Sequence, residues 1–244
     1  MSRARPKLVM AWSSGKDSAM ALHALLQQGE YEVVGLMTSV SEEFARISHH
    51  GVRVDLLDDQ ADAIGLPLRK ILLPTHPGGG ACTNDVYERI MGDAMRAYLS
   101  EGVTHVAFGD LFMADLRAYR ERNLAQAGMQ GVFPLWMRDT SQLAREVIAT
   151  GFKAILTCVE SVLGESFAGA EFDETLLNRL PNGVDPCGER GEFHTFICDG
   201  PILRRPVRVT RGQIVCRDRR HYADLLRGDI ACTPECQPAE IPPV

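Results

Sequence analysis

Leu8-Val9-Met10-Ala11-Trp12, Ser13-Ser14-Gly15-Lys16-Asp17-Ser18 and Ala19-Met20-Ala21-Leu22-His23-Ala24-Leu25-Leu26 follow one another as an apolar run, a tight loop of small polar residues and a helical pattern. That order, strand then loop then helix, lets loop N–H groups approach an anion closely, while the helix start adds its positive dipole end and unpaired first-turn N–H groups. Phosphate is the natural guest. The loop is not a Walker loop, which needs a glycine where Met10 stands and Ser or Thr directly after the lysine, where Asp17 stands. Turn-and-cap chemistry is the plain alternative, with Asp17 or Ser18 doing no more than capping the helix.

Outward from this loop the chain repeats its pattern. Strands are expected at Leu8–Trp12, Val33–Thr38, Arg69–Leu73, Val103–Phe108 and Gly131–Leu135, with amphipathic helices at Asp17–Gln28, Gly51–Ile64, Asn84–Leu99 and Leu116–Ala127. Alternation of this kind predicts an α/β fold with a doubly wound parallel sheet, whose ligands lie beyond the carboxyl ends of the strands where strand order reverses. The Ser13 loop, Thr38-Ser39 and Gly109-Asp110 are therefore expected on one rim. Pro77-Gly78-Gly79-Gly80 is a connector or a lid over that rim.

Past Trp136 the pattern changes to a helix at Thr140–Ala149, a strand at Ala154–Val159, a helix at Glu171–Leu180 and an arginine-rich segment. We expect a boundary there, giving domains 1–136 and 137–232, the second smaller and mixed α+β, with a proline-bearing, poorly ordered tail at 233–244. From Arg204 to Arg220 seven arginines face one acid, Asp218, a pattern that suits the solvated face of a β-hairpin or a dock for an acidic partner.

The 244 residues, 45% hydrophobic, suffice for one large or two modest domains that fold unaided. A net charge of −6 disfavours a nucleic-acid partner held by phosphate attraction. The apolar run after the basic start is too short for a signal peptide, nothing is long enough to span a bilayer, and seven scattered cysteines suit reduced thiols. A cytoplasmic protein without a membrane partner is expected, with self-association left open.

A second polar constellation lies at Gly183-Val184-Asp185-Pro186-Cys187-Gly188-Glu189-Arg190-Gly191-Glu192-Phe193-His194-Thr195-Phe196. Its glycines and proline force turns, and its acids, cysteine and histidine crowd titratable groups together. The residues alone allow a structured surface loop, a catalytic or substrate loop, or a metal site, the last short of a paired Cys or His unless Cys232 and Cys236 join it.

Together the two motifs resemble the diphthine–ammonia ligase family of pyrophosphate-loop proteins, within the adenine-nucleotide alpha-hydrolase superfamily, and in particular its bacterial branch. His50-Gly51-Val52-Arg53, Gly109-Asp110 with Arg117-Ala118-Tyr119-Arg120-Glu121, and Pro134-Leu135-Trp136 are also similar to it, so the resemblance runs from about Lys7 to about Val209. Ser14 stands where that family commonly has a glycine, and His194 where its eukaryotic and archaeal members usually have another residue.

The resemblance implies a Rossmann-like ATP domain and a ligase that adenylates a carboxylate, releases pyrophosphate and delivers ammonia. It implies ATP bound by Ser13, Ser14, Gly15, Lys16, Asp17, Ser18, Thr38, His50 and Gly109, and Mg²⁺ held by Asp17 and Asp110. Lys16, Glu189, Glu192 and His194 would carry the chemistry, the glutamates capturing and deprotonating ammonium. Arg117, Arg120, Cys187 and Gly188 would meet a small-molecule or protein-borne carboxylate, Cys187 more as a structural thiol than a nucleophile. Two rivals are a pyrophosphate-loop tRNA sulfur transferase, which needs a reactive cysteine and a basic surface, and a nucleotide sensor without turnover.

Overall fold

The computed structural model describes residues 4–43, 46–47, 51–76 and 82–228. His50, the Pro77–Gly80 loop, Cys232, Cys236 and the tail from Thr233 lie outside the described residues.

Strands β1 (Lys7–Ala11), β2 (Glu32–Ser41), β3 (Arg46–Ile47), β4 (Leu68–Leu73), β5 (Val103–Ala107) and β6 (Gln130–Val132) form the first sheet. Its parallel part runs β4-β2-β1-β5-β6. The short β3 pairs antiparallel with Val40 and Ser41 of β2. From β1 the chain steps outward to β2 and β4, then crosses back to lay β5 and β6 on the other side. Strand order therefore reverses between β1 and β5, the crevice where ligands of open α/β sheets sit.

Helices α1 (Lys16–Gln28), α2 (Val54–Ile64), α3 (Asn84–Ser100) and α4 (Ala114–Gln126) cover both faces. The alternation of β1 sorts them: Leu8 and Met10 pack with Leu22 of α1 and Leu57 of α2, while Val9 packs with Met95 of α3 and Leu124 of α4. Helix ends obey local chemistry. Gly29 at φ 63° and Gly65 at φ 80° close α1 and α2, their N–H groups returning to Leu25 and Ala61. Helix α2 starts three residues later than expected because Gly51 is left-handed at φ 69° and Arg53 extended.

Helix α5 (Thr140–Ala149) is capped by Asp139, whose carboxylate accepts from Gln142 N–H, and leads to a second, antiparallel sheet. Strands β7 (Lys153–Glu160), β8 (Phe193–Asp199), β9 (Val209–Arg217) and β10 (Arg220–Arg227) lie in the order β8-β7-β10-β9, with helix α6 (Glu174–Arg179) beside them. The arginine-rich segment is a hairpin whose turn falls at Asp218-Arg219, both left-handed at φ 50° and 62°, and whose second strand runs on to Arg227. Gly131–Leu135 gives only the three-residue β6, because the chain turns at Pro134 with Trp136 N–H bonding back to Phe133. The expected helix at Glu171–Leu180 shortens to Glu174–Arg179, Asp173 capping it through Leu176 N–H.

One apolar cluster joins the sheets: Leu8, Met10, Leu22 and Leu57 are continuous with Phe152, Leu156, Phe196 and Ile197. Charged ties reinforce it. Asp224 of β10 accepts from Arg53 at 2.7 and 2.9 Å and from Arg46 at 2.9 Å, and Arg227 reaches Asp59 of α2 at 2.6 Å. Among the described residues no helix is long and apolar enough to cross a membrane.

Candidate active site

The loop between β1 and α1 is gripped from beneath by the second sheet. Ser14 is left-handed at φ 70°, a glycine-like conformation adopted despite its side chain. Its carbonyl accepts from Ile197 N–H of β8 at 2.9 Å and from the Gln60 carboxamide at 3.1 Å. Lys16 N–H donates to the Thr195 hydroxyl at 3.0 Å. Ser18 Oγ returns to Gly15 O at 2.9 Å, and Ser13 Oγ donates to Ser18 Oγ at 3.2 Å. Helix α1 has no side-chain N-cap, which leaves its start to an anion. Among the described residues, Ser14 Oγ and Asp17 Oδ1 are buried without a hydrogen-bond partner.

Gly109, at the end of β5, lies flush against this loop. A Cβ there would sit 2.8 Å from Asp17 C, 2.9 Å from Asp17 O and 2.9 Å from Ser18 N. Glycine is required for close approach. Thr38 is buried at the carboxyl end of β2 with its hydroxyl donating to Trp12 O, so the side chain ties β2 to β1.

Lys16 is buried, and its ammonium donates to Asp17 Oδ2 at 2.8 Å and to the Cys187 carbonyl, with the Phe172 and Phe193 rings 5.5 and 5.3 Å away. The side chain thus reaches into the second motif. Burial opposes its charge, but Asp17 beside it, with lesser help from the Cys187 and Glu189 groups, lifts its pKa above the ordinary lysine value. Burial raises the Asp17 carboxyl in turn, with Lys16 pulling the other way.

The second motif is a loop built on its own acids. Asp185 Oδ1 accepts from Cys187 N–H at 2.9 Å and Glu189 N–H at 3.2 Å, and its other oxygen accepts from the Thr140 hydroxyl at 2.7 Å. Glu192 is buried, with one oxygen on Asp185 N–H and the other on Arg190 N–H, each at 3.0 Å. Gly188 is left-handed at φ 68°, and a Cβ would fall 2.8 Å from Phe193 O. Cys187 is buried against Thr140 O, and burial drives its thiol well above the usual range. Such a thiol is inert.

Glu189 joins this loop to the rim of the first sheet, one carboxylate oxygen accepting from Leu111 N–H at 2.8 Å and Phe112 N–H at 3.4 Å. Burial raises its pKa to about 7, against the pull of those amides. A group whose folded pKa exceeds its unfolded value contributes stability at low pH that is lost as pH rises. The melting temperature of the wild-type chain should therefore fall relative to that of Glu189→Gln between pH 4.5 and about 7, then run parallel. Thermal melts across that range check this, and a constant difference would refute the shift.

Other expected site residues are placed differently. Alternation along β8 turns His194 to the face opposite Thr195, where its Nε2 lies 3.5 Å from Arg220, itself 3.3 Å from Glu160. Both Asp110 oxygens bond Arg120, at 2.6 and 3.2 Å, and that guanidinium stacks 4.3 Å from the Phe108 ring. Arg117 pairs with Glu121 at 2.8 Å and lies 4.6 and 4.7 Å from the Phe133 and Trp136 rings. The structure thus brings together Ser13–Ser18, Thr38, Gly109, Cys187, Gly188 and Glu189. Glu192 supports from behind, and His194 lies on the opposite face of β8 from Thr195, beside Arg220. On sequence, Asp185 and Thr195 are marked within the second motif but assigned no site role, and Gln60 is not marked. Gln60 had a signal, since it shares the spacing of Leu56, Leu57, Ala61 and Ile64 on the buried stripe of α2.

A loop of small residues at the switch point of a parallel sheet, clasped by an acidic loop of a second, antiparallel sheet, makes this a two-sheet α/β protein. The family model described as diphthamide synthase N-terminal domain matches residues 6–130, and that described as diphthamide synthase C-terminal domain matches 139–230. Curated relatives named diphthine–ammonia ligase include one from Rattus norvegicus, 26% identical over 87% of this chain and 86% of its own, and one from Danio rerio, 28% identical over 87% and 90%. A solved structure titled a subunit of tRNA methyltransferase from Methanocaldococcus jannaschii is 18% identical with a TM-score of 0.43, covering 82% of this chain and all of its own. The chain belongs to the diphthamide synthase family.

Proposed function

We propose that the chain is an ATP-dependent, AMP-forming ligase that adenylates a carboxylate and passes ammonia to it; its curated relatives are named for joining diphthine and ammonia. The observation that carries this is the direct bonding of the two motifs, Lys16 N–H to Thr195 and Lys16 Nζ to the Cys187 carbonyl. That bonding sets the loop that would hold pyrophosphate beside the loop that would hold the acceptor.

In this reading the Ser13–Ser18 amides and hydroxyls bind the leaving pyrophosphate, and Gly109 keeps the loop in place. The orphaned Asp17 Oδ1 and Ser14 Oγ fit a ligand in this cradle. Asp17 Oδ1 would hold Mg²⁺, which supplies charge neutralisation at the phosphates, while Asp110 has both oxygens committed to Arg120 and would have to share them. Glu189, with a pKa of about 7, suits capture of ammonium and acceptance of its proton. Glu192 holds the loop, and His194 stands outside this chemistry. The buried Cys187 thiol does not suit a persulfide relay. The acceptor is a carboxylate, free or protein-borne, diphthine being the one the relatives' name carries.

The test is a panel of carboxylates with ATP and ammonium, following pyrophosphate and AMP. Release of both, dependent on one carboxylate, is expected. Steady ADP production would overturn cleavage between the alpha and beta phosphates.

A further inference from the structure

We propose that Gln60 is a positioning residue for the pyrophosphate loop, an assignment that rests on the ATP reading above for its consequence though not for its geometry. The side chain is fully buried on α2, and each of its hydrogen-bonding groups is used. Oε1 accepts from Trp12 Nε1 at 2.9 Å, and Nε2 donates to Ser14 O at 3.1 Å and to Ile197 O at 2.6 Å. The amide orientation follows from chemistry, because an indole N–H only donates and the two carbonyls only accept. One carboxamide therefore joins the end of β1, the loop and strand β8.

The contact on Ser14 decides where the loop points. Ser14 is left-handed at φ 70°, a conformation that costs a residue with a side chain of order 1 kcal/mol and persists only where surroundings enforce it. Two donors, Gln60 Nε2 and Ile197 N–H, converge on its carbonyl and do so. In a trans peptide C=O and N–H point opposite ways. Holding Ser14 O toward α2 thus aims Gly15 N–H away from α2, where it donates to Ser13 Oγ at 3.4 Å within the loop. The next amide, Lys16 N–H, is fixed by Thr195 on the strand whose Ile197 carbonyl Gln60 also holds.

Gln60→Glu keeps the acceptor for Trp12 but offers the two carbonyls at most one donor when protonated and none when ionised, and Gln60→Met keeps the volume without either. Leu57→Ala, a buried cavity on the same helix at a side chain that makes none of these bonds, controls for general destabilisation. We expect ATP to bind about tenfold or more weakly to both Gln60 variants well below their melting temperatures, and to bind Leu57→Ala as it binds wild type. We also expect hydrogen exchange at Lys16 N–H, measured without nucleotide, to quicken about tenfold in the Gln60 variants beyond the control. Wild-type affinity for ATP in Gln60→Met, or equal weakening in Leu57→Ala, would overturn the assignment. Should wild type itself fail to bind ATP, the ligase reading falls. The Lys16 exchange rates alone then decide whether Gln60 positions the loop, with unchanged rates overturning the assignment.

Discussion

A Lys16→Met variant is expected to melt about 10 °C below the wild-type chain, a loss of about 3–5 kcal/mol. The cause is what it leaves behind. Asp17 would keep a partly buried carboxylate without its partner at 2.8 Å, and the Cys187 carbonyl would lose its donor. Thermal unfolding measures the loss, and a double variant identifies its origin. Lys16→Met with Asp17→Asn removes both charges and should recover at least half of it, because the penalty belongs to the stranded ion more than to the missing attraction. A single variant as stable as wild type would show that the ammonium is not buried as described. Pyrophosphate release should be lost in both variants.

Gly109→Ala is expected to lower pyrophosphate release about a hundredfold or more while costing stability about 1–3 kcal/mol. A methyl group at that position meets the Asp17 and Ser18 backbone at 2.8–2.9 Å. No flexible side chain can yield there, so the loop itself must move. A shift of an ångström at the phosphate site is enough for the rate effect. Gly92→Ala on α3 is the comparison: its Cβ would meet only the end of the Arg96 side chain at 3.4 Å, and a helical alanine should be neutral or stabilising. Equal activity in the two variants would remove Gly109 from the site.

Much of this architecture is legible in the chain because local patterns carry it. Helix α5 occupies the expected Thr140–Ala149, with Asp139 as its cap, and β1 lies within a residue of the expected strand. Strand β8 is hidden for a physical reason. Phe193, Thr195, Phe196, Ile197 and Cys198 are all buried, so one face never alternates with a wet one, and the turn-rich stretch before it reads as loop throughout. The site was legible in its parts and not in its wiring. Residue types marked the Ser13–Ser18 and Gly183–Phe196 segments, but the bond from Lys16 to Thr195 spans 179 positions. Lysine beside a phosphate-type loop suggests a phosphate ligand. Only the fold reveals that its ammonium is committed to Asp17 and to the backbone of Cys187.

Strand β9 has a neighbour on one side only among the described residues, whereas the other end of its sheet, β8, is sealed by Ser14. Nearly all of β9 faces water, Ile214 and Val215 among it. An open strand with exposed branched residues is a template for runaway sheet growth between molecules. Arg217 stands at the end of this strand and Arg219 in the turn that follows, while Arg211 is paired with Glu171 at 3.1 Å. Like charges meeting like charges keep two such edges apart. The arginine-rich segment thus gains a colloidal meaning: neutralising Arg217 and Arg219 is expected to show first as turbidity at high protein concentration.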